Sequence, residues 1–97
     1  MTAEKKFENG TLTITLEGRL DTTTAPELER EIGDLSDVQN LVIDMKNLEY
    51  ISSAGLRVLL KAQKIMNVKG SMKLINVGGM IMEVFEITGF VDILTIE

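Results

Sequence analysis

The sequence predicts an α/β domain: a mostly parallel sheet of four to five strands with three to four helices. Two observations carry this. Segments with β-strand patterning alternate with segments of helical periodicity, in the order strand, helix, strand, helix, strand, helix, strand. That order builds a sheet from right-handed crossovers. With 97 residues, 44% of them hydrophobic and one proline, the chain is also expected to form one small domain around a single core.

From Thr11 to Leu16, "TLTITL" alternates strictly, with Leu12, Ile14 and Leu16 on one face and threonines on the other, the pattern of a half-buried strand. Asn9-Gly10 ahead of it is a hairpin turn signal that pairs it with a short strand over Lys5 to Glu8. The first helix is expected over residues 25–35. Thr24 stands as N-cap, Pro26 falls in the first turn and Glu27 completes a capping box. Leu28, Ile32 and Leu35 share its apolar face, and Glu27, Glu31 and Asp34 form a solvated acidic one.

"NLVIDM", Asn40 to Met45, reads as a strand buried on both sides, as parallel strands are. A second helix is expected over 54–67, with Gly55, Val58, Leu59, Ala62, Ile65 and Met66 inward and Arg57, Lys61 and Lys64 outward. "MKLINV" is the next strand. Gly78-Gly79 then turns the chain into a third helix over 80–88, and Gly89 fits the left-handed residue past its end, with Phe90 folding back. "DILTI" supplies a last short strand.

Composition excludes several function classes. Ten basic residues against fifteen acidic give a net charge near −5, the wrong sign for a nonspecific nucleic-acid surface, so no nucleic-acid partner is expected. Without histidine or cysteine the chain cannot build a Ser-His-Asp or Cys-His site, and it lacks the usual catalytic zinc ligands. No phosphate loop or dinucleotide fingerprint is present. A catalytic role, a metal and a cofactor are therefore not expected, and a small enzyme or ligand-binding domain is the remotest reading. No apolar run reaches membrane-spanning length and "MTAEKKFENG" lacks the apolar core of a secretory signal, so no membrane insertion and a cytoplasmic location are expected.

The stretch "LEYISSAGLRVLLKAQK", Leu48 to Lys64, places Ser52 and Ser53 where a strand hands over to a helix, the rim at which α/β domains gather their sites. Either serine serves as an N-cap, worth about 0.5–2 kcal/mol, or one is a modified hydroxyl. A phosphoserine would add about −1.5 to −2 charges, which a helix N-terminus tolerates. Gly55 leaves room for close backbone approach. Leu56 and Leu60 are either core or an apolar contact patch, Arg57 is a solubilising or a contact residue, and Asp21 on residue type is a turn former.

"LEYISSAGLRVLL" resembles the signature of the STAS domain, and within it of bacterial anti-sigma-factor antagonists, whose Asp-Ser-(Ser/Ala)-Gly-Leu run opens a helix after a buried strand. Here the run is Ser52-Ser53-Ala54-Gly55-Leu56. "GRLDTTTAPELEREI" and "VFEITGFVDILTI" are similar to other parts of the family, so the resemblance covers most of the chain. It implies a STAS-like sandwich and a switch without catalysis. Such antagonists bind an anti-sigma factor that is also a serine kinase, with an ATP-binding fold related to histidine kinases, and so release a sigma factor. The kinase phosphorylates the antagonist's serine and the complex separates. A metal-dependent serine/threonine phosphatase resets it.

Carried onto this chain, the resemblance makes Ser53 the phosphorylated serine and places Asp21 near its loop. The partner surface implied is Asp21, Ser52, Ser53, Leu56, Arg57 and Leu60. The position before the modified serine, aspartate in many phosphorylated members, is Ser52 here. That departure supports an alternative: a constitutive interaction module, such as a subunit of a lipid-transport ATPase or of a stress-signalling complex.

Overall fold

The computed structural model describes residues 1–97. Asn9 and Gly10 both take positive φ, 53° and 80°, a two-residue turn whose twist suits a hairpin. It joins β1 (Thr2–Glu8) to β2 (Thr11–Leu20), paired antiparallel from Thr2↔Glu17 to Glu8↔Thr11. Helix α1 (Ala25–Ile32), β3 (Asn40–Ile51), α2 (Ser53–Lys69), β4 (Ser71–Ile75) and α3 (Gly79–Thr88) follow, with a short 3-10 turn at Phe90–Asp92. Strand order is β1-β2-β3-β4, with β2, β3 and β4 mutually parallel.

This consecutive order decides where the core sits. Right-handed crossovers that all step in one direction put every helix on the same face of the sheet. Leu12, Ile14, Leu16, Leu41, Ile43, Met45, Met72 and Leu74 are buried there, in one cluster with Leu28 of α1, Leu59 of α2 and Phe85 of α3. Their alternates Thr13, Thr15, Val42, Asp44, Lys73 and Ile75 are only half-buried. "NLVIDM" is therefore buried on one side, not both, because no crossover returns across the other face.

Two strands run past their expected ends. β2 reaches Leu20 and β3 reaches Ile51, through register shifts between Thr15 and Glu17 and between Gly18 and Arg19. Gly18, at φ 101°, supplies backbone geometry that other residues rarely adopt. α1 stops short of residue 35 because Gly33, at φ 60°, turns the chain and returns its N–H to Glu29 O at 3.0 Å. Leu35 is nonetheless buried from the loop.

Thr24 does not cap α1: it lies in the helical region and makes no cap hydrogen bond. α3 ends as expected at Gly89, φ 81°, with Phe90 packed partly against the core. The buried residues of α2 are Gly55, Leu56, Leu59, Ala62, Gln63 and Met66, so its inward face is rotated away from Ile65, 41% exposed, while Val58 stays half-buried against the core. Gln63 explains the rotation. Its Oε1 accepts the Thr95 N–H at 3.2 Å and its Nε2 donates to Asn67 at 2.8 Å. That anchors the C-terminal segment, where "DILTI" contributes only a bridge between Ile96 and Leu74 and not a full strand.

Candidate functional site

Leu20↔Ile51 is the last pair of the parallel β2–β3 ladder, so Asp21 and Ser52 leave the sheet side by side at its carboxyl rim. The Ser52 N–H donates to Leu20 O at 2.9 Å and ties the two exits together. On the Asp21 side, Oδ1 accepts from the Thr23 N–H (3.0 Å), the Thr23 hydroxyl (2.8 Å) and the Thr24 N–H (3.2 Å). Thr24 Oγ1 accepts the Asp21 N–H and donates to Arg19 O, each at 2.8 Å. Asp21, and not Thr24, thus organises the entry to α1. The Thr23 hydroxyl first, then the Thr24 and Thr23 backbone N–H groups, hold the Asp21 carboxyl below the usual carboxylate range against an opposing effect of partial burial.

On the other side, Ser52 occupies the N-cap position of α2 in extended conformation, φ −104° and ψ 175°. Its carbonyl accepts the first helical bond, from the Leu56 N–H at 3.0 Å. Its hydroxyl makes no cap bond and is buried without any partner. Ser53 is the first helical residue and is exposed. Capping therefore does not account for Ser53, whose position lies inside the helix. The N–H groups of Ser53, Ala54 and Gly55 precede the first intrahelical bond and have no acceptor within the helix.

Gly55 is set by packing. A Cβ there would lie 2.7 Å from Leu20 Cγ and 3.0 Å from Ile51 Cγ1. The close approach expected at this glycine is made by the protein's own sheet, which presses the first turn of α2 onto the strand ends and presents Ser53 outward. From Ser53 the positions Arg57, Leu60 and Lys64 follow at i+4, i+7 and i+11, one ridge of the helix. Arg57 is exposed and Leu60 half-buried. Leu56, 5% exposed, belongs to the core, which resolves its two readings and leaves Leu60 as the apolar member of the ridge.

Arg57 also borders an open groove of about 260 Å³ between α1 and α2, with Thr22, Pro26, Glu29 and Lys61. Lys61 Nζ meets Glu29 Oε1 across it at 2.9 Å. Sequence reasoning missed Arg19 and Tyr50, which complete the rim. They are ladder partners, and the Arg19 guanidinium stacks over the Tyr50 ring at 4.1 Å, with its Nε 3.9 Å from Asp21 Oδ2. The only signal was register, since "GRLD" and "EYIS" lie thirty-one residues apart and align only once the bulges are known. No three His, Cys, Asp or Glu side chains converge to hold a metal ion.

The model of the STAS domain family matches residues 2–97. The chain belongs to the STAS domain family. This STAS domain is 40% identical over 88 residues to BtrV of Bordetella bronchiseptica, provisionally designated an anti-sigma factor antagonist, covering 88% of this chain and 76% of that one. It is 32% identical over 95 residues to the anti-sigma-B factor antagonist of Bacillus subtilis, covering 96% and 86%. In fold it is similar to the anti-sigma factor antagonist SpoIIAA in unphosphorylated form, with TM-score 0.83, 19% identity and coverage of 99% and 88%. Against SpoIIAA from Bacillus in phosphorylated form the TM-score is 0.77, at 19% identity and coverage of 99% and 91%. No helix of this STAS domain is long and apolar enough to cross a membrane.

Proposed function

We propose that this STAS domain is an anti-sigma-factor antagonist of the cytoplasm, without catalytic activity, that binds an anti-sigma serine kinase and thereby frees a sigma factor. Ser53 is the switch. The observation that carries the reading is the placement of this hydroxyl: exposed, in the first turn of α2, free of any capping duty. Kinship with proteins named as antagonists supports the partner class.

The kinase transfers the γ-phosphoryl group of ATP to Ser53 Oγ. The O–P bond forms, the hydroxyl proton leaves and ADP is released. The phosphoserine brings about −1.5 to −2 charges to a position where the free N–H groups of α2 tolerate an anion, so the fold persists. The partner surface, made by Asp21, Ser52, Ser53, Arg57 and Leu60, loses its complementarity to the kinase. A serine/threonine phosphatase restores it by hydrolysis.

Phosphopeptide mapping after incubation with the cognate kinase and ATP tests this. Phosphate is expected on Ser53 and none on Ser52; phosphate on Ser52 with Ser53 unmodified overturns the assignment. A second reading, the constitutive interaction module, is favoured by Ser52 itself, which stands where the family's phosphorylated members often carry aspartate. It requires stable partner binding with no phosphate on either serine.

A further inference from the structure

Two segments of this chain carry charge of a single sign. α2 carries Arg57, Lys61, Lys64 and Lys69 and no carboxylate, whereas the segment from Gly79 to Glu97 carries Glu83, Glu86, Asp92 and Glu97 and no base. Each set is neutralised only in part within the chain. Lys61 pairs with Glu29 and Lys73 with Glu97, but Arg57, Lys64, Glu83 and Glu86 make no ion pair.

Each helix also exposes apolar surface beside its charges. On α2, Val68 is 89% exposed and follows Arg57, Lys61 and Lys64 at the spacing of one stripe. On α3, Met80 (75%) and Ile87 (82%) flank Glu83 on the face opposite the buried Ile81 and Phe85. One stripe is cationic with an apolar end, and the other is apolar with a carboxylate rim.

We propose that the outer stripe of α3 is a docking surface for the outer stripe of α2 of a second copy of this chain. The complementarity is heterologous: α2 of one molecule meets α3 of the next. A two-fold α3–α3 contact would bring Glu83 and Glu86 against their own copies, and an α2–α2 contact would do the same with Arg57 and Lys64. Because the donor and acceptor faces are different surfaces, each molecule keeps one of each free and the contact propagates. Two short helical faces fall in the weak class of interfaces, below about 1,200 Å² in total. The association is therefore expected to grow with protein concentration and to weaken with salt, since charge pairs at such a rim are screened over about 3 Å at 1 M ionic strength.

Sedimentation equilibrium with two variants tests the arrangement without reference to any kinase. Val68→Asp disables the α2 face and Ile87→Lys the α3 face, both at exposed positions that leave the core alone. Wild-type protein at low salt should show a weight-average mass above the monomer that rises toward the millimolar range, and either variant alone should remain a monomer. An equal mixture of the two variants should form a dimer that grows no further, because one intact α2 face meets one intact α3 face. A wild-type protein that stays monomeric throughout overturns the proposal. So does self-association of Val68→Asp alone, which would mark an α3–α3 contact, or a mixture that fails to associate while the wild type does.

Discussion

Replacing Ser52 by alanine is expected to leave the protein as stable as before or to stabilise it, against the usual cost of losing an N-cap serine. That cost, about 0.5–2 kcal/mol, is the loss of a hydrogen bond from a helix N–H to the cap hydroxyl. Here no such bond is made, and the Ser52 oxygen is buried without a partner. An unsatisfied buried polar group costs about 1–3 kcal/mol in lost solvation, and its removal offsets whatever small packing contribution the oxygen makes. The backbone at φ −104° and ψ 175° is open to alanine, so no strain enters. The balance is a gain between zero and about 1 kcal/mol, which for a domain of this size moves the melting temperature upward by no more than about 4–8 °C. Thermal and urea unfolding of wild type and Ser52→Ala in parallel give the answer. A loss of 1 kcal/mol or more would refute the reasoning, because it would mean that the hydroxyl caps α2 in solution.

Gly70→Ala should be severely destabilising, by about 3 kcal/mol or more, because the new Cβ would overlap the carbonyl oxygen of Gln39 and backbone cannot yield as a side chain does; the denaturation midpoint reads this. Since the Asp21 carboxyl titrates below its unfolded value, it contributes stability above the unfolded pKa, near 3.9, and that contribution is lost as pH falls through the folded value. Asp21→Asn should flatten this acid limb in melts from mildly acidic to strongly acidic pH, and an unchanged limb would remove Asp21 as its source. Gln63→Leu should release the Thr95 N–H and speed amide exchange in the C-terminal segment more than in β2, whereas uniform exchange would place the effect elsewhere.

Strict alternation made the first half of β2 legible and a short β-branched apolar run the first half of β3, and Asn9-Gly10 identified the hairpin before any contact was known. The second half of β3 was hidden because the bulges opposite Thr15–Glu17 and Gly18–Arg19 break the two-residue period in "KNLEYI". The open face of the sheet depends on strand order, which periodicity does not encode, so "NLVIDM" read as buried on both sides while Val42 and Asp44 are only half-buried. Gln63 was not among the residues expected on the inward face of α2, because nothing in the sequence places beside it the Thr95 N–H it serves. The placement of Ser52, Ser53 and Asp21 at one rim of the sheet was legible from motif and handover position, and their roles remain proposals. The division of labour between the serines was not, because N-cap and first helical residue differ by one position and sequence readings of helix ends carry about that uncertainty. Leu56 and Leu60 read equally as core or contact patch, and only the helix rotation makes Leu56 core and leaves Leu60 half-buried.

The most direct measurement is calorimetric binding of the anti-sigma kinase to wild type and Ser53→Asp, taken beside the melting temperature of each. The phosphorylation-switch account predicts that Ser53→Asp loses binding and melts with the wild type, since an acidic residue in the first turn of α2 suits the helix and only the partner meets the charge. Ser53→Asp that binds as tightly as wild type, or that loses binding only by losing its fold, would contradict it.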